Sequence, residues 1–335
     1  MNPGFKKEMD IAIRAVMAAS SLCIKVRTAL IEGSTMTKGD RSPVTVADFG
    51  SQALICKTLK EEFPHDPVVA EEDSQELFKP EHSVTLGQVV RHVHDFFPKA
   101  PPGQICSWID WGGQQPGERF WTLDPIDGTK GFLRGDQYAI ALALIESGHV
   151  QLGVLGCPNL PLAGNPTGEE RGTLLVALKG RGTVESDLAG RNRTRVRVSP
   201  AATPVQARIT ESLESAHSDH ASQSRIAQEL RIATPALRVD SQAKYALLAR
   251  GDASIYLRLP SPETPDYREK IWDHAAGSII VEEAGGRVTD IFGRPLDFST
   301  GKRLEKNKGI VATNGLLHAT VLQAVTAALN RTAQG

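Results

Sequence analysis

The stretch WTLDPIDGTKGFL, Trp121 to Leu133, is where the chain concentrates groups able to do chemistry. An apolar lead-in, Phe120 to Leu123, predicts a strand that ends at Asp124. Two carboxylates, a proline, a glycine and a threonine then follow within Asp124–Thr129. Ile126 lies between turn-forming residues, so its carbonyl is expected to be exposed rather than paired in a sheet, with Asp124 and Asp127 free to converge on the same point. Such an all-oxygen set suits hard Mg2+ and not zinc or copper. Gly128 lets backbone approach an anion closely, and Thr129 opens a turn whose N–H groups can face a phosphate. Further carboxylates stand at expected strand ends or helix starts: Asp48, Glu71-Glu72 and Asp273. Several carboxylates with a phosphate-facing turn indicate metal-assisted phosphoryl hydrolysis. Taken singly, each has a plainer reading. Asp48 would cap a helix, Glu71-Glu72 would end a strand in solvent, and Asp273 would cap a helix beginning near Trp272.

The elements that must position these groups follow from periodicity. Phe5, Met9, Ile13, Val16, Cys23, Val26 and Leu30 recur at helical spacing and predict a helix over 5–31, with a second helix starting near Asp48. Val68 to Ala70 reads as a short buried strand. A helix is expected around Val84 to Phe97, followed by a Pro/Gly-rich loop in an insertion of unassigned role over 75–118. Hairpins are expected at Tyr138–Glu146 with Val150–Gly156, turning at Ser147-Gly148, and within TLLVALKGRGTVES. Beyond residue 200 strands and helices alternate. The prediction is therefore an α+β first half, 1–160, carrying most metal ligands, and an α/β second half, 161–335, carrying Asp273.

Bulk properties narrow the partners. The 335 residues are 40% hydrophobic and 23% charged, with net charge −1, which gives no general attraction to nucleic acid or anionic membrane. Arg193, Arg195 and Arg197 alternate along one strand face without interleaved aromatics, so a solvated face is expected there. The longest apolar run, Tyr138 to Ile145, is too short to span a bilayer. Glu8, Asp10 and Arg14 interrupt the N-terminus where a signal peptide needs an apolar run. Cys23, Cys56, Cys106 and Cys157 form no C-x-x-C pair and read as buried thiols of a reducing compartment. The expectation is a cytoplasmic monomer, or an organellar one if a leader has been removed.

VTVADFGSQ, VVAEED, LDPIDGTKGFLRG and KIWDHAAGSIIVEEAGG together resemble the Mg2+-dependent, lithium-sensitive phosphatases of the inositol monophosphatase superfamily. GTKGFLRGDQYA, GVLGCPNLPLA, ESAHSDH, DSQAKYALLARGDASIYLRLP and YREKIWDH resemble its eukaryotic bisphosphate nucleotidase branch. The resemblance spans nearly the whole chain and implies a layered αβαβα sugar-phosphatase fold. It also implies that Glu71, Asp124 and the Ile126 carbonyl hold one Mg2+, and that Asp124, Asp127 and Asp273 hold a second, with a third held loosely. Asp48 and Thr129 would orient and help deprotonate the attacking water, and the Gly128 and Thr129 N–H groups would bind the scissile phosphate.

The same resemblance makes His217, Ser241, Lys244 and Arg258 the substrate-binding set, with Lys244 and Arg258 meeting the non-reacting 5′-phosphate. Ser241 and Lys244, three apart, would share a helix face. Alone, Lys244 also reads as a solvated helix lysine, Arg258 as an outward strand residue and His217 as a loop histidine. The activity implied is hydrolysis of adenosine 3′,5′-bisphosphate to AMP and phosphate, with the 2′,5′ isomer and 3′-phosphoadenylyl sulfate as further substrates. The rival activities are inositol polyphosphate 1-phosphatase or inositol monophosphatase on the same metal site. A non-catalytic nucleotide or metal sensor is the rival of another class.

Overall fold

A computed structural model describes residues 4–31, 45–163, 171–213, 220–261, 263–264 and 266–332. Among the described residues seven strands pair in sequence order: β1 (Val68–Ala70), β2 (Arg119–Asp127), β3 (Ala139–Glu146), β4 (His149–Pro161), β5 (Arg171–Leu178), β6 (Gly182–Asp187) and β7 (Thr194–Val196). β1 runs parallel to β2, and every later pair is antiparallel. The two faces of β3 show how this sheet is covered. Ile140, Leu142 and Leu144 join one core, and Ala139, Ala141 and Ala143 join another. The large side chains meet α1 (Lys6–Ile31) and α2 (Val46–Glu62). The small ones let α8 (Ala275–Glu283) approach the opposite face. Gly153 completes that close approach: a Cβ there would stand 2.5 Å from Ile279 Cγ2 and 2.8 Å from the Ala276 carbonyl oxygen.

The second sheet has the order β11 (Arg287–Thr289), β12 (Ile310–Thr313), β10 (Ile255–Arg258), β8 (Ile209–Glu211), β9 (Leu237–Arg238). Its inner face packs on α7 (Ala243–Ala249) and α8, and its outer face on α6 (His220–Glu229) and α9 (His318–Thr332). The layers run α1/α2, first sheet, α7/α8, second sheet, α6/α9, which is the αβαβα arrangement expected. Among the described residues no helix is long and apolar enough to cross a membrane. All four cysteines are buried and free.

Several local expectations need correction. The strand at Trp121 does not stop at Leu123. β2 continues to Asp127, and its register against β3 shifts between Asp124 and Asp127. Pro125 has no N–H to give the ladder, so the strand bulges there instead of ending. The segment after Phe97 is not all loop: α4 spans Pro102–Asp110, with Pro102 in the first turn, where its fixed φ suits a helix. It follows α3 (Ser83–His94). The expected division near residue 160 does not fall between sheets, because β5 to β7 extend the first sheet to Val196.

Candidate active site

α2 braces the C-terminal ends of both β1 and β2. Thr45 caps α2 through its side chain, and Asp48, at the third helical position, returns a bond to the Thr45 N–H at 2.8 Å. Asp48 is thus the reciprocal partner in a capping box rather than the cap expected. The box fixes a carboxylate that is only 1% exposed, leaving Oδ1 3.3 Å from the Thr129 hydroxyl. The same hydroxyl lies 3.2 Å from the Ile126 carbonyl oxygen. Ser51, also on α2, donates to the Pro125 carbonyl at 2.9 Å and pins the bulge. Gln52 donates to the Glu72 carbonyl at 2.6 Å and accepts from the Glu72 N–H at 3.1 Å, which fixes the chain just past β1.

Gly128 has φ +86°, and a Cβ there would meet Ser241 Cβ at 2.9 Å. This glycine therefore both makes the left-handed turn and lets the first sheet's loop touch the segment before α7. Thr129 then starts α5 (Thr129–Arg134).

Glu71, Asp124, Ile126, Asp127, Gly128, Thr129, Ser241, Lys244, Arg258 and Asp273 all line one cavity of about 450 Å3. Asp48 stands behind it, touching it through Thr129. His217 lies outside the described residues. Two placements differ from expectation. Ser241 precedes α7 with φ +67° instead of sharing its helical face with Lys244, and the Ser241 hydroxyl accepts the Ala243 N–H at 3.1 Å. Asp273 precedes α8, which starts at Ala275, so it caps nothing and its side chain is left for the cavity.

The cavity is lined by groups of both charge signs. Among its carboxyls, burial and then repulsion from Asp127 hold Glu71 above its ordinary range, and burial and then repulsion from Glu71 and Asp127 do the same for Asp124. Asp273 is also raised, by burial and by Asp127 and Glu71, although Arg258 opposes this. Burial raises Asp48 to about 7 against its bonds from Thr45, and raises Glu72, beside them, to about 9. Of the cationic side chains lining the same cavity, Lys244 is buried and pushed down to about 8 by that burial. Arg258 meets Glu269 at 2.7 Å. Burial works against the Glu269 charge, but Arg258 and His274 outweigh it and hold the carboxyl at about 2.

The cavity lining contains carboxylates and the Ile126 carbonyl but neither His nor Cys among the described residues, a set that fits a hard divalent cation. Glu269, Asp273 and His274 also lie within 4.8 Å of one another. Glu269 is already matched by Arg258, and His274 Nδ1 pairs with the Tyr245 hydroxyl at 2.8 Å, so of this trio only Asp273 is left for a cation in the cavity.

A stability slope follows from these shifts. Between pH 6.5 and 8 the folded, metal-free protein retains protons on Asp48 and Glu72 that the unfolded chain has lost. Stability must therefore fall as pH rises through that window. His274 and His318, held neutral in the fold but still partly protonated in the unfolded chain near pH 6.5, and Lys244, pushed down to about 8, act the other way and make the fall shallower without reversing it. The melting temperature in EDTA is expected to drop from pH 6.5 to 8, and millimolar Mg2+ is expected to remove the drop. A flat EDTA profile would contradict the crowded, cation-free carboxylates.

The inositol monophosphatase family model matches residues 6–330, and the chain belongs to that family. The 3′(2′),5′-bisphosphate nucleotidase of Oryza sativa is 46% identical, covering 98% of this chain and 96% of its own. The Schizosaccharomyces pombe protein of the same name is 43% identical, covering 98% and 97%. Among solved structures, the inositol monophosphatase of Anabaena superposes with a TM-score of 0.63 at 21% identity, covering 96% of each chain. CysQ from Bacteroides thetaiotaomicron gives 0.62 at 20%, covering 93% and 98%. At those identities the structures speak for the fold alone.

Gln52, Gln242, Asp240 and Tyr256 were not foreseen as parts of the site. Gln52 and Gln242 sit inside the motifs VTVADFGSQ and DSQAKY, and both are buried. Their signal was a long amide at a place where an apolar residue would pack more simply.

Proposed function

We propose that this protein is a metal-dependent 3′(2′),5′-bisphosphate nucleotidase that converts adenosine 3′,5′-bisphosphate to AMP and phosphate. The 2′,5′ isomer and 3′-phosphoadenylyl sulfate share the groups it would read. The reading is carried by one observation: a group of carboxylates and two cationic side chains, Lys244 and Arg258, line a single cavity. The carboxylates suit a phosphate undergoing cleavage, and the cations suit a second phosphate that stays. The names of the relatives at 41–46% identity support the same activity.

Glu71, Asp124 and the Ile126 carbonyl would hold one Mg2+, Asp124, Asp127 and Asp273 a second, and Glu71 would reach toward a third. When bound, such ions supply Lewis-acid stabilisation of the phosphoryl and leaving oxygens and acidify water. The chain's own residues do the rest. The Gly128 and Thr129 N–H groups face the phosphate to be cleaved. The Thr129 hydroxyl, held between Asp48 and the Ile126 carbonyl, orients the attacking water and offers its proton a path to Asp48 Oδ1. Ser241, Lys244 and Arg258, with His217, bind the nucleoside and its second phosphate. Four buried, reduced cysteines support a reducing compartment such as the cytoplasm.

Phosphate release from adenosine 3′,5′-bisphosphate and from inositol 1,4-bisphosphate, measured side by side in Mg2+, tests the reading. The nucleotide is expected to be strongly preferred. Preference for the inositol phosphate would keep the carboxylate site and overturn the nucleotide assignment.

A further inference from the structure

We propose that Gln242 is a positioning residue that sets the spacing between Asp127 and Asp273, an inference that rests on the metal reading above. Those two carboxylates come from different layers. Asp127 ends β2 of the first sheet, and Asp273 lies in the segment entering α8. Gln242 touches both supports. Its backbone N–H donates to Asp127 Oδ2 at 2.6 Å. Its side-chain amide donates to the Trp272 carbonyl at 2.9 Å and accepts the Gly277 N–H at 3.0 Å.

The clamp spans Asp273 from both sides, at Trp272 and at Gly277. The Gly277 N–H belongs to the first turn of α8, where helical N–H groups have no partner within the helix, so the Gln242 carbonyl caps it from a distance. The anchor is rigid. A Cβ at Gly277 would stand 2.2 Å from Tyr245 Cδ2, which places α8 directly against α7, the helix that begins one residue after Gln242. Gln242 is itself only 2% exposed, with both polar ends of its amide bonded. An apolar side chain would fill the space but leave a buried carbonyl and N–H without partners and release the segment that carries Asp273. Groups that orient metal ligands in this way typically contribute 10–100-fold to metal affinity or activity.

The test is Mg2+ binding to the full chain, by calorimetry and by thermal shift, in wild type, Gln242→Met and Gln242→Asn. Met removes both side-chain bonds at similar volume. Asn keeps the amide but shortens its reach, adds no charge, and keeps the test open if the Met variant does not fold. Both are expected to bind Mg2+ about 10–100-fold more weakly. The KM for the bisphosphate at saturating Mg2+ should stay near wild type. A merely structural glutamine would lower the melting temperature and leave Mg2+ affinity unmoved, and that result in a folded variant overturns the proposal. Wild-type protein that binds no Mg2+ would instead overturn the metal reading, and this inference with it.

Discussion

Asp124→Asn is expected to abolish phosphate release while making the metal-free protein more stable. Asp124 is the carboxylate most surrounded by its own kind: after burial, Glu71, Asp127, Asp273 and Asp48 all push its carboxyl upward. The asparagine oxygen can keep the bond that Asp124 Oδ1 accepts from the Ile126 N–H at 3.1 Å, so the bulge should survive. What the substitution removes is one carboxyl from a cluster that, without a cation, can relieve its repulsion only by holding protons. The catalytic loss should be about a thousandfold or more, since Lewis-acid stabilisation supplies several kcal/mol and each 1.36 kcal/mol is tenfold in rate. The melting temperature in EDTA should rise by about 1–2 °C for each kcal/mol of repulsion relieved, while the gain on adding Mg2+ shrinks. Activity and thermal shift on one preparation decide it. Retained turnover would remove Asp124 from the metal site. Lost turnover with a lower metal-free melting temperature would show that the asparagine disrupts packing, not charge.

That opposition between stability and function also explains what the sequence could and could not disclose. The carboxylates were legible because Asp-Pro-Ile-Asp-Gly-Thr violates what a buried strand needs, and such violations collect at functional sites. The β3–β4 hairpin was legible from its apolar runs and the Ser147-Gly148 turn, while the layering was read from the family resemblance. Three things were not. α4 hid behind Pro101-Pro102-Gly103, which looks like loop until Pro102 is placed in the first helical turn. The left-handed Ser241 was hidden by its position beside a helix, since a serine gives no local sign of φ +67°. Gln52 and Gln242 act on backbone groups up to 57 positions away, and no period or spacing reveals a partner at that separation. Sequence pattern thus exposes the groups that meet substrate or metal more readily than those that hold them in place.

Lys244→Met should separate the two phosphates of the substrate. Lys244 is 4% exposed, yet among the described residues no carboxylate lies within ion-pairing distance of it. Its Nζ has only a long 3.4 Å contact to the Val239 carbonyl and stands 5.4 Å over the Tyr256 ring. A buried ammonium without a matched anion costs stability. Methionine fills similar volume without that charge, so the free protein should be at least as stable as wild type. Asp127, Asp240 and Asp273 favour its charge without pairing with it, and an anion in the cavity that it lines would complete the site. Loss of one buried, charge-assisted bond of roughly 1.5–3 kcal/mol predicts a KM for adenosine 3′,5′-bisphosphate raised about 10–100-fold. Hydrolysis of adenosine 3′-monophosphate, which has no second phosphate to lose, should be nearly unchanged. Arg258 is the poorer probe, because its removal strands buried Glu269, now 2.7 Å away, and would confuse folding with recognition. If the Lys244 variant loses both substrates equally, the lysine acts on the reacting phosphate and the cationic pair is not a second-phosphate site. If it loses neither, Lys244 is a core residue whose charge serves no ligand.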